Sequence, residues 1–425
     1  MTQLTARETV PVGLAKPTKF SIAIAGLALL AMGLRLSLPQ GLTSGLIASF
    51  VLIPVWVPVL VRAVSLRVLL IIGGIALLSG IWLTSLASSD HATSTGLAVE
   101  TSMLLLGILL GAGTVVWART VLGSGVTGLI YGIGMLAGVR PDSDLYGTNP
   151  WRFGFSVAVT VIVLAVTQLI RLRFLGLVAV LVLAGLSVVT DARSSFAILL
   201  LTAIAVAWQL IPRRSTGRPP IVLVLVLVAG IGYAVFNFGQ SLILDGYLGQ
   251  VTQARSEVQV DASGSLLLGG RPEIAATTAL FLSRVFGFGS GTIPTLSDVS
   301  TAKTGMAAIN YQPNNGYVEN YMFGGRIELH SIFGDLWAAY GIPGIVLVLF
   351  IAVLLISQTA HGLATRTAGA LVVYLAVKTV WSLAFSPLLS SAVILVLVLG
   401  LALPVRGLID RSGIAPIAPR ARRGS

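Results

Sequence analysis

The residues best suited to chemistry include an arginine that follows two glycines. Arg271 precedes Pro272 and Glu273 in GGRPE, a pattern typical of the start of a helix. A helix start offers unpaired N–H groups, glycines permit close backbone approach, and an arginine can grip phosphate oxygens through two parallel hydrogen bonds. The stretch therefore predicts an anion site. An exposed arginine paired with a nearby carboxylate is the alternative.

Two further ionisable residues lie at the edges of apolar runs. Arg193 stands beside Asp191 in VVTDARSSFAILLL, and His330 precedes the run in ELHSIFGDLWAAYGIPG. A charge at the edge of a bilayer is costly and is usually functional. The alternative is an arginine that only extends its side chain to the polar interface. Histidine is the residue type suited to proton transfer near neutral pH. The alternative is that a lone histidine at the membrane interface merely caps the apolar run with a polar group.

Aromatic residues surround these positions. NYQPNNGYVENYMFGG contains Tyr317 and Tyr321, whose faces could hold sugars, although the same composition describes an ordinary loop. We therefore take Tyr317 and Tyr321 as candidate substrate-binding residues.

The composition defines the elements that must position these residues. The chain is 56% hydrophobic and 10% charged, whereas soluble domains carry about 25% charged residues. Apolar runs of about 17 to 23 residues recur, and the alternating pattern of barrel strands is absent. The sequence predicts an all-α, polytopic membrane helix bundle of about 12 transmembrane helices. The predicted spans are 20–34, 43–61, 67–86, 97–117, 120–139, 153–170, 174–190, 195–212, 220–242, 331–358, 368–386 and 388–404.

Charge asymmetry predicts the orientation. With the N-terminus in the cytoplasm, 17 of the 27 Lys and Arg residues face the cytoplasm, against only two of the 15 acidic residues. Both termini are then cytoplasmic, and the net charge of +12 indicates topology rather than nucleic-acid binding. The predicted division is a tail (1–19), helices 1–9 (20–242), a large extracytoplasmic loop with short amphipathic helices (243–330), helices 10–12 (331–404) and a basic tail (405–425).

Several chemistries have no support in the sequence. The glycine-rich GFGSG lacks the lysine of a phosphate-binding loop, and no cytoplasmic segment is long enough for a nucleotide-binding domain. Cysteine is absent, and histidines and carboxylates do not cluster at ligand spacing. We therefore expect neither a cofactor nor a metal. In the loop, Pro272 is expected at the first position of a short helix, with Ile274, Phe281 and Val285 on its apolar face.

The residues resemble those of the O-antigen ligase and O-antigen polymerase superfamily of bacterial envelope glycan enzymes. DARSS resembles the family's arginine turn, with Arg193 matching. GGRPEIAATTALFLSRVFGFGSG resembles its Gly-Arg segment followed by Gly-x-Gly, with Arg271 matching. HSIFGDLWAAYGIPG resembles its His-Asn segment leading to Gly-x-x-Gly, with His330 matching and Ser331 replacing the Asn. The motifs cover roughly the second half of the chain, in the family's order.

The resemblance implies a GT-C-like glycosyltransferase in the bacterial plasma membrane. Its donor is a glycan on a polyprenyl-pyrophosphate carrier, its acceptor a lipid or glycan hydroxyl on the outer side, and no metal takes part. Arg193 and Arg271 would stabilise the departing pyrophosphate, and His330 would be the base. Arg284 and Arg326 would be further substrate-binding residues, for the donor phosphate or the glycan. Ligase and polymerase remain open.

Two other classes of protein remain as alternatives. The first is a polyprenyl-linked glycan flippase or another secondary transporter, which would use charges within the membrane such as Glu100, Asp335 and Lys378. The second is a structural membrane protein, which would need no set of arginines and histidine on one side.

Overall fold

The computed structural model describes residues 17–170, 172–211 and 269–407, with isolated positions between 222 and 260. Within these residues the regular structure is helical, and extended pairing is limited to isolated bridges such as Thr93 with Thr292. The predicted span 220–242, residues 243–268 and most of both tails lie outside the described ranges.

A helix lies at every predicted span within the described ranges. We number the described α-helices in chain order. They are α1 (Lys19–Leu34), α2 (Ser44–Val51), α3 (Ile53–Trp56), α4 (Val64–Ala87), α5 (Thr95–Leu122), α6 (Ser124–Ala137), α7 (Asp144–Thr148), α8 (Ser156–Ile170), α9 (Arg173–Val189), α10 (Arg193–Leu210), α11 (Glu273–Ser283), α12 (Leu296–Ala307), α13 (Ile332–Thr365), α14 (Ala370–Phe385) and α15 (Leu388–Ala402).

The helices are those of a helical membrane protein. Four of them (α4, α5, α10 and α13), and α8 together with the π-helical residues Trp151–Phe155 before it, are long and apolar enough to cross a bilayer. The pair Ser44–Val51 and Ile53–Val61, bent by 58°, makes a sixth if it is one span. Other helices of the bundle, such as α14 and α15, are apolar but shorter. The predicted number of about twelve counts these shorter helices together with 220–242.

Small residues let neighbouring helices approach closely. A Cβ atom at Gly134 in α6 would lie 2.6 Å from the carbonyl oxygen of Leu30 in α1, and one at Gly138, which follows α6, would lie 2.6 Å from that of Leu34. Contacts this short leave no room for a side chain. The spacing of these glycines therefore reflects helix packing.

Residues 269–331 form the loop segment, which packs on one end of the bundle, called here the loop end. The loop segment contains α11, α12 and a π-helical turn at Val318–Met322. It has its own apolar core, in which Leu280, Met306 and Val318 are fully buried together with Trp337 at the start of α13. This core fixes the loop segment on the bundle.

The buried face of α11 differs from the predicted one. Glu273, Ala276 and Leu280 are buried, whereas Val285, expected on the apolar face, is 42% exposed and lies beyond the helix end. The predicted apolar face is the one that carries the largest apolar side chains, Ile274, Phe281 and Val285. The closely packed α12 instead selects the face with small residues, because Gly305 of α12 lies against the backbone of α11.

The glycine-rich GFGSG joins the loop segment to α4 and α13. Gly289 has φ +109°, and a Cβ atom there would lie 2.4 Å from the backbone nitrogen of Thr84. Gly341 interrupts α13 with φ +63° and ψ −143°, where a Cβ atom would lie 2.4 Å from the carbonyl oxygen of Phe286. Only glycine combines these dihedrals with such close approach, so this motif has a packing role.

Candidate functional site

Arg271 lies where the loop segment meets the bundle. It directly precedes the first turn of α11, and its guanidinium stands over the ring of Phe385, 5.8 Å from the ring centroid. Phe385 is the last residue of α14. The charge of Arg271 also acts on Tyr317 of the loop segment and on Lys378 of α14. The arginine therefore stands at the centre of a group of residues from both the loop segment and the bundle.

Glu273 and Tyr317 form the buried part of this group. Glu273 is only 7% exposed, and the Tyr317 hydroxyl donates a hydrogen bond of 2.5 Å to its Oε1 atom. The Oε2 atom is buried and has no hydrogen-bond partner among the described residues. Burial, and then the neighbouring Glu273, raise the pKa of Tyr317 above its ordinary value, so the phenol stays protonated and remains a donor.

His330 stands beside Tyr317 in an uncommon backbone conformation. Its φ is +54°, in the left-handed region that non-glycine residues seldom adopt, and its ring centroid lies 5.9 Å from that of Tyr317. The Nδ1 atom is buried and has no hydrogen-bond partner within the described part of the chain, whereas Nε2 is not enclosed in this way. In a neutral ring one of the two nitrogens already carries a proton, so when Nδ1 carries it the accessible Nε2 can accept a proton from a bound molecule.

Hydrogen bonds on either side hold His330 in this conformation. Asp335 accepts one hydrogen bond of 2.7 Å from the Leu329 N–H and another of 2.7 Å from the Leu388 N–H at the start of α15. Ser331 caps α13 by accepting a hydrogen bond from the Gly334 N–H. A strained residue persists where its surroundings over-determine it, and this strain costs about 1–3 kcal/mol. Asp335 therefore positions the histidine.

Tyr321 extends the group toward solvent. Its ring centroid lies 5.5 Å from that of Tyr317, and 66% of its surface is exposed. His330, Tyr317 and Tyr321 thus form a row of rings that runs from the half-buried His330 and Tyr317 to the exposed Tyr321. Aromatic faces of this kind bind the apolar faces of sugar rings.

Arg193 lies at the same end of the bundle. It begins α10, and its Nε atom donates to Asp191 Oδ1 at 3.3 Å. At the opposite end, Gln209 of α10 donates to the carbonyl oxygen of Ala368, just before α14. Since α10 and α14 run antiparallel, the start of α10 and the end of α14 share the loop end. The described contacts therefore place Arg193 and Arg271 at the same end of the bundle.

Arg284 belongs to a different group. Its Nη1 atom donates to Asp90 Oδ2 at 2.7 Å, and its Nε donates to the carbonyl oxygen of Gly287 at 3.1 Å. The hydrogen bond from Arg284, followed by that from His91, lowers the pKa of Asp90 to about 2. These contacts join the α4–α5 connection to the end of α11.

Arg326 is also paired with carboxylates. It donates to Glu100 at the start of α5 at 3.2 Å and to Glu328 at 3.1 Å. Glu100 accepts a hydrogen bond from Arg326, and Asp335 accepts hydrogen bonds from two backbone N–H groups at the loop end. Two of the three charges considered for a transport path therefore take part in contacts at the loop end. The substrate-binding roles of Arg284 and Arg326 remain predictions.

His91 has a structural site that the sequence did not reveal. Its side chain is 6% exposed, and its two ring nitrogens contact Asp90 at 2.8 Å and Asp298 at 3.0 Å. Asp298 also completes the capping box of α12 with Thr295. His91 and Asp298 are 207 residues apart, so only the tertiary structure brings them together. Among the described residues, no group of three or more His, Cys, Asp or Glu side chains could hold a metal ion.

These observations define the class of protein as a helical membrane protein with a polar and aromatic site at the loop end of the bundle. No family profile, no curated protein and no solved structure matches this chain.

Proposed function

We propose that this protein is an integral-membrane glycosyltransferase of the O-antigen ligase or polymerase type. It moves an oligo- or polysaccharide from a polyprenyl-pyrophosphate carrier to an acceptor hydroxyl on the outer side of the plasma membrane. The observation that carries the proposal is the gathering of Arg271, Glu273, Tyr317, Tyr321 and His330, which come from three separate stretches of the chain, at one end of an apolar helix bundle.

The chemistry of these groups fits such a transfer. The acceptor oxygen attacks the anomeric carbon of the donor sugar, and the bond from that carbon to the pyrophosphate oxygen breaks. The electron pair leaves with the pyrophosphate, whose growing negative charge Arg271 stabilises. His330 receives the acceptor's proton on a ring nitrogen. Tyr317 and Tyr321 hold sugar rings, and Glu273 fixes Tyr317 through its hydroxyl.

Arg193 is the second arginine of the proposed donor site. Its place at the loop end allows it to contact a donor larger than the described group, and Asp191 orients its guanidinium. In this proposal Arg284 and Arg326 are further contacts for the donor phosphate or the glycan. Their guanidinium groups also bind carboxylates that hold the loop segment.

The proposal also includes a membrane topology. It comprises a GT-C-like fold, about twelve spans, an extracytoplasmic loop segment, cytoplasmic termini and no metal requirement. The shorter apolar helices and 220–242 would then cross the bilayer together with the long ones.

The test is a reaction of purified, reconstituted protein with a polyprenyl-pyrophosphate oligosaccharide, with and without a candidate acceptor. A ladder on the carrier identifies a polymerase, and a single transfer to a second molecule identifies a ligase. A chelator is expected to leave the rate unchanged. If thermal melting shows that the protein is folded but the glycan stays on its carrier with every donor and acceptor tried, the proposal is refuted.

Lys378 favours a transporter as the second candidate. It is the single charged residue of α14, an apolar helix of the bundle, and charges within a membrane often mark a transport path. Movement of a fluorescent polyprenyl-linked glycan between the leaflets of a vesicle, without transfer of the glycan, would establish this function instead.

A further inference from the structure

In the part of the chain that the structure describes, no partner of Lys378 explains its position. It lies half-buried near the middle of α14, where every other residue is uncharged. Within the described residues its side chain takes part in no ion pair and no hydrogen bond. A charge in an apolar helix is costly unless it is paired, so such a residue is usually functional.

Arg271, in the loop segment, stands over the loop end of the same face of α14. Lys378 and Phe385 are seven residues apart, which places them on one face of α14 with a rise of about 10 Å between them. Arg271 stands over Phe385, and its charge acts on Lys378. No carboxylate in the described ranges lies within ion-pair distance of Arg271 either. Two cations that repel one another, neither of them in an ion pair among the described residues, favour binding of an anion.

The depth of Lys378 restricts the kind of anion. The lysine lies about two helical turns below the loop end in an apolar helix, so its partner must reach below the surface of the bundle. A phosphate attached to a lipid reaches this depth with its chain among apolar helices, whereas a soluble sugar nucleotide would have to leave water. A diphosphate also carries enough negative charge to contact two cations.

We propose that Arg271 and Lys378 together bind the phosphate groups of a membrane-anchored ligand, with Lys378 contacting the phosphate nearer the lipid chain. The identification of this ligand as the polyprenyl-pyrophosphate carrier rests on the proposed function. The cation pair itself does not depend on it. In the transfer reaction Lys378 then shares with Arg271 the charge that develops on the departing pyrophosphate.

The test measures binding to purified protein in nanodiscs of zwitterionic lipid. The probes are undecaprenyl pyrophosphate, undecaprenol, phosphatidylglycerol and inorganic pyrophosphate. The variants are Lys378→Met, which keeps an apolar stem and removes the charge, and Lys378→Arg, which keeps the charge. Lys303→Met is the matched control, because Lys303 of α12 is paired with Glu319 in the loop segment.

We expect Lys378→Met to weaken binding of undecaprenyl pyrophosphate by about 10- to 100-fold, the range for one lost charge-assisted contact. Lys378→Arg should stay within a few-fold of the wild type, Lys303→Met should bind normally, and undecaprenol should bind the lysine and methionine proteins alike. If Lys378→Met does not fold, Lys378→Gln replaces it.

The remaining outcomes separate the two proposals. Equal binding of undecaprenyl pyrophosphate by wild type and Lys378→Met overturns the role of Lys378 and leaves the proposed function standing. Lys378-dependent binding of phosphatidylglycerol without binding of the carrier supports the lipid-phosphate site but removes the proposed function. Equally strong Lys378-dependent binding of inorganic pyrophosphate overturns the requirement for a lipid anchor, and binding of no probe overturns both proposals.

Discussion

Replacement of Tyr317 by phenylalanine tests the buried centre of the site. The substitution keeps the ring and removes the only hydrogen bond that Glu273 Oε1 accepts from Tyr317, while Oε2 already has no partner in the described residues. Because Glu273 is 7% exposed, water cannot freely replace the lost donor. A hydrogen bond to a charged group contributes about 1.5–3 kcal/mol. We expect Tyr317→Phe to lower the free energy of unfolding by about this amount.

The assay is equilibrium unfolding of the purified protein in mixed micelles, followed by tryptophan fluorescence. Tyr311→Phe is the matched control, because the Tyr311 hydroxyl accepts its hydrogen bond from Asn315 at an exposed position. The control should change stability by less than about 0.5 kcal/mol. A double-mutant cycle with Glu273→Gln should give a coupling of at least about 1 kcal/mol. Equal stability of the Tyr317 and Tyr311 variants, or a coupling near zero, would refute the reasoning.

Four further predictions follow from the same contacts. His330→Asn, which tolerates the left-handed conformation, should fold like the wild type and bind the carrier, but single-turnover transfer should fall by about 100-fold or more; normal turnover would remove the histidine from the mechanism. Arg271→Lys should weaken carrier binding nearly as much as Arg271→Ala, because lysine lacks the paired N–H donors of arginine. Wild-type binding by Arg271→Lys would contradict a phosphate contact through two parallel hydrogen bonds. Asp90→Asn should lower the thermal midpoint at pH 7. Since the folded pKa of Asp90 is lowered from 3.8 to about 2, its stabilisation is present above pH 4 and is lost as the pH falls toward 2, so the two melting curves should converge there; a constant difference would exclude the ion pair with Arg284. A cysteine at Ser297, in the otherwise cysteine-free chain, should react with an impermeant maleimide in intact spheroplasts, and labelling only after lysis would reverse the orientation.

The positions of the helices could be predicted because each depends on a local apolar run. Such a run must satisfy its backbone groups internally in a membrane, so length and hydropathy suffice to place it. The predicted span 97–117 corresponds to Thr95–Leu122, and 388–404 corresponds to Leu388–Ala402. The same signal does not show that Gly341 breaks α13, because that break depends on the contact of its backbone with Phe286.

The candidate site could be predicted only as a set of residue types. The sequence indicates Arg271, Tyr317 and His330 through their charges, rings and positions beside apolar runs, and the structure brings these three together. It did not indicate the pairing of Glu273 with Tyr317. Those two residues are 44 positions apart, and the pairing depends on which face of α11 the loop segment covers.

The sequence by itself determined the membrane class, the apolar helices and the side of the bundle on which the distinctive residues gather. These properties follow from composition and from patterns within single segments, which a local physical rule can describe. The tertiary structure decided which charges are paired. Arg284 pairs with Asp90 and Arg326 with Glu100, while Arg271 of the loop segment stands over Phe385, on the same face of α14 as Lys378. Partners so far apart in sequence meet only through the packing of whole helices, which no local pattern encodes.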